Sequence, residues 1–350
     1  MAADDLSALL KIFLSLLASL LYSYFISSKL RKGLPRLLSL LPILSLFTLL
    51  PLRVSSVLLS GIVASFITWL ASFKLLLFSF DSGPLVSHPP FSFPLFATLT
   101  CFPIRIKQNQ PNPVPQNPQY PIDSPKVPLN LPAKVFLFAV LVAAEESLPP
   151  YLKLCYNCVS LYFLIDVIVC FFNTIMRWVF GIELEPPSNE PYLSTSLQDF
   201  WGRRWNLLVS NILRLTVFLP VRTAVIRVAG RRRSAAVAVF AVFLVSGLMH
   251  ELLFYYVNRA VPSWEVTGFF VLQGVCVLVE FQLKTAVGKK FRLHWAVSLP
   301  ITMGFMVITA SWLFFPPVLR NGTVAGITSE CKAALELANG LVMSVLKRPS

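Results

Sequence analysis

The stretch SAAVAVFAVFLVSGLMHELLFYYV, residues 234–257, decides the fold class of this chain. Within it, only His250 and Glu251 have side chains that can be charged near neutral pH. An uninterrupted apolar run of this length is typical of a helix that crosses a lipid bilayer. Because an ionisable side chain at membrane depth is energetically costly, His250 is a candidate functional residue.

The composition extends this prediction to the whole chain. Of the 350 residues, 56% are hydrophobic and only 13% are charged, and the mean hydropathy is +0.71, whereas soluble domains are about 25% charged. We predict one all-α, polytopic membrane domain over residues 1–350, with about eight transmembrane helices and one interfacial or re-entrant helix. The predicted spans lie near residues 10–28, 35–52, 54–74, 133–149, 151–174, 234–257, 264–283 and 294–315. The additional helix, near 197–219, is apolar on one side only.

Basic residues gather at the ends of the apolar segments, with 30 lysines and arginines against 16 aspartates and glutamates. This pattern is typical of topology signals and of contacts with anionic headgroups, and we identify no nucleic-acid-binding module in the sequence. By the positive-inside rule, four loops are predicted to be cytosolic: 29–36, 74–132, 203–233 and 284–292. The loops with few basic residues, near 53, 150 and 258–263, and the tail after Arg320 are then lumenal.

Two other regions stand out by composition. Residues 81–132 contain 13 of the 27 prolines and predict an irregular cytosolic loop, which we interpret as a connector, with partner recruitment as the alternative. Residues 327–350 predict a short C-terminal tail in which 327–346 form a surface helix.

Asn321 begins a glycosylation sequon on the predicted lumenal side, but its closeness to the preceding span argues against modification. Cys155-x-x-Cys158 has no second pair and predicts small apolar helix positions instead of a metal site.

His250 lies on a helix face with small neighbours. The face consists of Phe243, Gly247, His250, Phe254 and Val257. Ser246 and Gly247 leave room for a ligand or another backbone beside the imidazole. A neutral imidazole can accept a proton from a hydroxyl group, so His250 is a candidate general base; the alternative is a histidine that only hydrogen-bonds between helices. Glu251 must face elsewhere, where Tyr255 or Asn258 could bind it.

The second unusual segment is SLQDFWGRRWN, residues 196–206. Ser196-x-x-Asp199 resembles a capping box, which predicts that a helix begins there. On a continuous helix one polar stripe would follow, formed by Asp199, Arg203, Asn206, Ser210 and Arg214, with Trp201 and Trp205 at headgroup level. One interpretation is an interfacial amphipathic helix that binds anionic lipid. The other is a site in which Asn206 holds a polar reacting group such as a thioester carbonyl.

Three segments together carry a family resemblance. They are WLASFKLLLF at 69–78 with Gly83-Pro84-Leu85 after it, SLQDFWGRRWN at 196–206, and SGLMHE at 246–251. In these segments, and in their order and spacing over nearly the whole chain, the sequence resembles the membrane-bound O-acyltransferase (MBOAT) superfamily, specifically its plant wax synthase-like branch. The resemblance implies an MBOAT-like fold and, over residues 196–257, a catalytic segment.

The resemblance also implies an activity. Members of this branch transfer a fatty acyl group from acyl-CoA, a co-substrate, to a lipid hydroxyl, with no other cofactor and no metal, and we expect an endoplasmic reticulum membrane. The family's catalytic residues correspond to His250 and Asn206. We expect His250 to act as the general base and Asn206 to position or polarise the thioester. Four residues near Asn206 are candidates for acyl-CoA binding: Trp201, Arg203, Arg204 and Trp205.

Several alternatives stay open at this point. The acceptor is predicted to be a long-chain fatty alcohol, giving a wax ester, but a sterol or diacylglycerol fits the same residues. A lipid transporter or scramblase could use Asp166, His250, Glu251 and Glu280 as a polar pathway, although no inverted repeat is visible. A non-catalytic scaffold would leave His250 and Asn206 unexplained. The sequence does not predict an oligomeric state or an acyl chain length.

Overall fold

The structure of the protein is a computed structural model that describes residues 3–87, 89–106, 131–182, 184–287 and 293–346. Apart from one isolated antiparallel bridge between Ile106 and Leu184, the regular structure in these ranges is helical. In chain order the helices are α1 (Ala3–Phe25), α2 (Leu34–Leu49), α3 (Val57–Ser79), α4 (Phe93–Cys101), α5 (Leu131–Ala144), α6 (Pro150–Phe180), α7 (Leu197–Asp199, followed by a π-turn at Phe200–Arg204), α8 (Leu207–Asn258), α9 (Glu265–Val287), α10 (Trp295–Phe314), α11 (Pro316–Arg320) and α12 (Thr323–Leu346).

Seven helices of the described ranges are long and apolar enough to cross a membrane: α1, α2, α3, α6, α8, α9 and α10. The predicted count of about eight is not confirmed, because the span expected at 133–149 contains only the 14-residue helix α5. A helix of that length extends about 21 Å, against a hydrocarbon core of about 30 Å. A 3₁₀ turn at Glu145–Ser147 ends it, and Pro150 begins α6.

Helix α8 is bent in its middle. Its 52 residues are too many for one straight span, and Gly230 has φ 73° and ψ 171°, outside the helical region. A backbone with positive φ is accessible mainly to glycine, so the break falls where the sequence permits it. The second arm, after Gly230, contains the quoted apolar stretch and His250.

Two sequence predictions about the loops need correction. Residues 81–132 are not irregular throughout, because Phe93–Cys101 form α4, which begins with a proline in its first turn. Phe96 and Leu99 are buried, and the fully buried Lys74 of α3 donates to the carbonyl oxygens of Leu99 and Phe102 at 2.6 Å each. The centre of the proline-rich loop, 107–130, lies outside the described residues.

Burial at the end of α4 raises the pKa of Cys101 to about 11, so its thiol is neutral.

The C-terminal segment is also more than a tail. Helix α12 carries Glu330, whose carboxylate accepts from the backbone N–H groups of Val57 and Leu58, at 3.0 and 2.9 Å, and from the Ser56 hydroxyl at 2.8 Å. A carboxylate at this position satisfies the unpaired N–H groups at the start of α3 and its negative charge complements the helix dipole. The start of α3 therefore depends on a residue far away in sequence. Residues 347–350 of the predicted tail lie outside the described ranges.

Polar contacts group the helix ends into two sets. At one end, Lys32 pairs with Asp81 at 2.8 Å, which joins the first loop to the end of α3. At the other end, Arg259 donates to the carbonyl oxygens of Pro51 and Val54, at 2.7 and 2.9 Å. The loops of Lys32 and Asp81 were predicted on one side of the membrane, and the loops near 53 and 258–263 on the other. The contacts agree with this grouping, and the assignment of each end to cytosol or lumen stays a prediction.

Candidate active site

His250 lies among aromatic rings from three helices. Its ring centroid is 4.9 Å from Trp69 of α3, 4.3 Å from Phe270 of α9 and 6.1 Å from Phe314 of α10. Trp69 and Phe270 are buried, and the indole nitrogen of Trp69 makes no hydrogen bond within the described residues. The imidazole is thus held by packing in an apolar setting. The sequence analysis singled out the segment of Trp69 but did not place it at the site.

One hydrogen bond defines the chemical state of the imidazole. His250 Nδ1 lies 2.7 Å from the backbone carbonyl oxygen of Ser246, one turn earlier in α8. A carbonyl oxygen can only accept, so Nδ1 carries the hydrogen. In the neutral ring, Nε2 then has the free lone pair and can accept a proton. This arrangement is what a general base requires.

Glycine allows α9 to approach α8 beside this histidine. A Cβ atom on Gly247 would lie 3.1 Å from Thr267 Cα and 3.2 Å from Phe270 Cβ. Across the same interface, a Cβ on Gly274 would lie 2.8 Å from Phe243 Cβ. The expectation that another backbone comes close at Gly247 is confirmed. The close approach is what brings the Phe270 ring against the imidazole.

Glu251 has a structural role at the start of α9. Its carboxylate, 4% exposed, accepts from the backbone N–H groups of Trp264 and Thr267, at 2.8 and 3.1 Å, and from the Thr267 hydroxyl at 3.1 Å. The predicted partners Tyr255 and Asn258 are therefore wrong. The helix dipole and unpaired N–H groups at the α9 N-terminus attract the carboxylate more strongly than neighbours on its own helix.

The helix predicted near 197–219 is two helices and not one, with Asn206 between them. The Ser196 hydroxyl accepts from the Asp199 N–H at 3.1 Å, as the capping prediction requires. A π-turn at Phe200–Arg204 then ends the first helix, and Asn206 has a left-handed backbone with φ 38°. Its Oδ1 accepts from Val209 N–H at 3.2 Å and caps α8. The single polar stripe is thus wrong, because Asn206 is a turn and cap residue.

The two tryptophans of this segment face the protein. Trp201 Nε1 donates to Gln273 Oε1 at 3.2 Å, and Gln273 Nε2 donates to Thr309 at 2.8 Å. The Trp201 ring also packs 5.7 Å from Phe270, the ring that contacts His250. Trp205 stacks on Phe200, 5.4 Å between centroids. Trp201 packs between helices, where an apolar indole with a satisfied N–H is stable, and its expected depth at headgroup level stays a prediction.

The two arginines differ in exposure. Arg203 is exposed. Arg204 is buried, pairs with Asp199 at 2.7 Å and donates to the carbonyl oxygens of Asn189 and Glu190, at 3.3 and 3.2 Å. Arg204 therefore supports the local chain conformation, whereas Arg203 can reach a ligand at the surface.

The structure brings some predicted site residues together and keeps others apart. Trp201 and His250 share the ring of Phe270. Asn206 and His250 share no hydrogen bond within the described ranges: Asn206 bonds to Val209 and His250 to Ser246. Gln273, fully buried beside Trp201, was missed by the sequence analysis. The only feature of the sequence that could have identified Gln273 is its place as a polar residue in an apolar helix. Because its side chain is neutral, this feature is weaker than that of a charged residue.

The acidic residues proposed for a transport pathway each have a structural partner. Asp166 lies 2.5 Å from Lys134, and Glu251 caps α9. Glu280 accepts from the Leu197 N–H at 2.8 Å and pairs with Lys284. Because buried carboxylates with such partners need no transported ion to explain them, the transporter hypothesis loses its main support.

A cavity of about 340 Å³ opens at the far end of α8, beyond His250. Phe254 lines it, and Phe254 and His250 both pack on Phe314, at centroid distances of 5.2 and 6.1 Å. Glu251, Asn258 and residues of α11 form the polar part of its wall. The histidine thus has the aromatic and cationic segment on one side and an open cavity on the other.

Comparison with known proteins covers this site and almost all of the chain. A sequence model described as "Membrane bound O-acyl transferase family" matches residues 184–272. "Probable long-chain-alcohol O-fatty-acyltransferase 3" of Arabidopsis thaliana is 42% identical, over 95% of this chain and 96% of that protein. Long-chain-alcohol O-fatty-acyltransferase of Simmondsia chinensis is 43% identical, over 91% of each chain. Acyl-CoA–sterol O-acyltransferase 1 of Arabidopsis thaliana is 40% identical, over 90% of this chain and 91% of that protein.

The helical membrane fold, the base-competent histidine and these relatives define the class of protein as an integral membrane acyltransferase. The chain belongs to the membrane bound O-acyl transferase family. The matched residues contain both Asn206 and His250.

Proposed function

We propose that the protein transfers a fatty acyl group from acyl-CoA to the hydroxyl of a long-chain alcohol, forming a wax ester. The observation that carries the proposal is the hydrogen bond from His250 Nδ1 to Ser246, at 2.7 Å. It leaves Nε2 free to accept a proton, in a chain 43% identical to a long-chain-alcohol O-fatty-acyltransferase. We place the enzyme in the endoplasmic reticulum membrane.

The reaction is a single displacement in a ternary complex. His250 Nε2 takes the hydroxyl proton while the alcohol oxygen attacks the thioester carbonyl carbon. The carbon–sulfur bond then breaks, CoA leaves as a thiolate, and the imidazolium returns the proton to the sulfur. The step balances without a covalent enzyme intermediate or a further cofactor. The Asn206 amide donates to the thioester carbonyl oxygen, where negative charge develops.

Acyl-CoA is proposed to bind along the 196–206 segment. Exposed Arg203 and the arginines at 231–233 supply positive charge for the CoA phosphates. Trp201 and Trp205 flank the path of the thioester, and Arg204 contributes indirectly through its contacts with Asp199 and the neighbouring carbonyls. In this proposal the bound acyl-CoA extends from Asn206 to His250.

The alcohol is proposed to approach His250 from the opposite side. The cavity of about 340 Å³ beyond Phe254 and Phe314 offers polar groups for the hydroxyl end and borders apolar helix surface for the chain. A long-chain alcohol can enter such a site from the lipid phase. The two substrates then meet at the imidazole from different directions.

A sterol is the second candidate acceptor. The observation that favours it is 40% identity to acyl-CoA–sterol O-acyltransferase 1. The same base can deprotonate a sterol hydroxyl, so the difference lies in the shape of the acceptor site. Diacylglycerol is the third acceptor to compare.

The test uses microsomes that contain the full chain, supplied with labelled acyl-CoA and, in parallel, a fatty alcohol, a sterol or diacylglycerol. Labelled wax ester in the first reaction, absent with His250→Ala at equal protein level, is the expected result. Sterol ester as the main product would show that the acceptor is a sterol, the second candidate, and not a long-chain alcohol. No ester with any acceptor would refute the proposed function.

A further inference from the structure

A buried ion pair lies next to the segment that carries Asn206. Asp166, in the middle of α6, is 2% exposed, and its Oδ2 lies 2.5 Å from Lys134 Nζ of α5. Its other oxygen, Oδ1, accepts a hydrogen bond from the Ser188 hydroxyl at 2.7 Å. A charged pair within a membrane domain is costly to bury and is retained where it has a specific use.

The chain on either side of Ser188 is bonded to the chain on either side of Asn206. Before Ser188, the Pro187 carbonyl oxygen accepts from the Leu207 N–H at 2.8 Å. After it, the Asn189 N–H donates to the Arg204 carbonyl oxygen at 2.8 Å. Ser188 is therefore the middle of a clamp, residues 187–190, that binds the residues before and after the Trp205–Asn206 turn.

The surrounding structure supports this turn. Asn206 has φ 38° and ψ 68°, a left-handed conformation that asparagine adopts more readily than other non-glycine residues, because its side chain can hydrogen-bond locally. The orientation of its side chain still depends on the bonds that hold the backbone on either side of the turn. A ring contact adds to the support, since Tyr162 of α6, one turn before Asp166, packs 6.4 Å from Trp205.

We propose that Asp166 and Ser188 are positioning residues for acyl transfer, which act through the 187–190 clamp to fix the orientation of the Asn206 side chain. The inference rests on the proposed function, in which Asn206 donates to the thioester. The ion pair with Lys134 holds the Asp166 side chain in place. This role also explains helix α5, which is too short to span the membrane yet carries a lysine among apolar residues.

Ser188→Ala is the sharpest variant, because it cuts the link to the clamp and leaves the Lys134–Asp166 pair intact. Cys170→Ala is its matched control: the Cys170 thiol also contacts Asp166, at 3.9 Å, but has no connection to the clamp. Ser188→Thr keeps the hydroxyl and should restore function. The measurements are kcat, the KM for acyl-CoA and for the alcohol, and thermal stability of the purified full chain.

We expect Ser188→Ala to lower kcat by about 10- to 100-fold, the effect of a small displacement of a reacting group. The KM for the alcohol should stay close to wild type, and the thermal stability should fall slightly, because the buried Asp166 Oδ1 loses its donor. Ser188→Thr should recover most of the turnover, and Cys170→Ala should match wild type. Wild-type kcat in Ser188→Ala would overturn the inference.

A double-mutant cycle separates positioning from a general structural effect. If Ser188 acts through Asn206, Ser188→Ala should have little further effect on kcat in an Asn206→Ala background. If the losses in kcat caused by Ser188→Ala and Asn206→Ala multiply in the double variant, the inference is overturned, even though the wild type makes ester. A wild type that makes no ester with any acceptor would instead refute the proposed function, and the inference with it.

The role of Asp166 is tested in a double variant that also replaces Lys134, its partner in the ion pair. Asp166→Asn alone would leave Lys134 as an unpaired buried charge and could prevent folding. The pair Asp166→Asn with Lys134→Met removes both charges but keeps an oxygen that can accept from Ser188. We expect this double variant to keep kcat within about threefold of wild type, because the amide oxygen still accepts from the Ser188 hydroxyl and the clamp keeps its link to α6. A loss as large as that of Ser188→Ala would show that the charge itself is needed and would contradict the clamp mechanism.

Discussion

The Nδ1 atom of His250 donates to the backbone carbonyl oxygen of Ser246 over 2.7 Å, within the same helix. A histidine that uses its own helix in this way needs no polar side chain to fix its tautomer. The backbone bond fixes which nitrogen carries the hydrogen, the aromatic rings hold the imidazole by packing, and Nε2 is left for chemistry.

Replacement of His250 should therefore remove catalysis and leave the fold intact. We expect His250→Ala to lower kcat by about 10²–10⁴-fold, as the loss of a general base does. His294→Ala is the control, because this exposed histidine only caps α10 through the Ala296 N–H. Ester formation by purified variants of equal thermal stability is the measurement. Undiminished turnover in His250→Ala would contradict the mechanism.

Gly247 should not tolerate a side chain. A Cβ there would lie 3.1 Å from the Thr267 backbone, which cannot move without shifting α9. We expect Gly247→Ala to destabilise the protein by about 1–3 kcal/mol, as overpacking does, and to lower kcat because Phe270 moves against His250. Gly268→Ala is the matched control on the same helix pair, since no atom lies within 4 Å of its Cβ position. Equal unfolding temperatures for the two variants would contradict this close packing.

Glu251 should matter for stability more than for turnover. Glu251→Ala leaves the Trp264 and Thr267 N–H groups without their acceptor, which costs about 1–3 kcal/mol in the free energy of unfolding. Glu251→Gln keeps one accepting oxygen and should lose less. The check is thermal unfolding in detergent alongside kcat of the folded fraction. A catalytic base at Glu251 would give the opposite pattern: normal stability and lost turnover.

The sequon at Asn321 should carry no glycan. Asn321 Nδ2 donates to the Pro317 carbonyl oxygen at 2.6 Å, and the Thr323 hydroxyl is buried and bonded to Asn258 at 2.5 Å. Both groups that a glycosyltransferase recognises thus make hydrogen bonds within the protein, and the Thr323 hydroxyl is buried. Glycosidase treatment of the protein from microsomes should leave its electrophoretic mobility unchanged, with a glycosylated reporter in the same membranes as the control. A mobility shift that Asn321→Gln abolishes would show that these contacts open.

The sequence predicted the features that depend on local composition. Apolar runs identified the membrane helices, and the cost of burying an imidazole drew attention to His250 before any fold was known. The start of α7 at Ser196 followed from its capping pattern. The count of spans was less certain, because α5 is apolar enough to resemble a span but 14 residues long.

Features that depend on tertiary contacts could not be predicted. The partners of Glu251 lie on α9, and those of Glu330 lie on α3, more than 270 residues away in sequence. The break at Trp205–Asn206 was missed because the side-chain pattern continues through it, whereas the backbone is held by the 187–190 clamp. Trp69 and Phe270 are ordinary apolar residues in sequence, and only packing places them at the imidazole.

The bond between Glu330 and the first turn of α3 sets an order of assembly. Glu330 is synthesised long after α3 enters the membrane, so the N–H groups of Val57 and Leu58 wait for their acceptor until α12 has been made. Helix α3 also carries Trp69, which packs on His250. The nascent chain can therefore acquire every residue of the catalytic segment and still be unable to hold the imidazole firmly. The packing around the imidazole is complete only when the late helix α12 and the early helix α3 have come together.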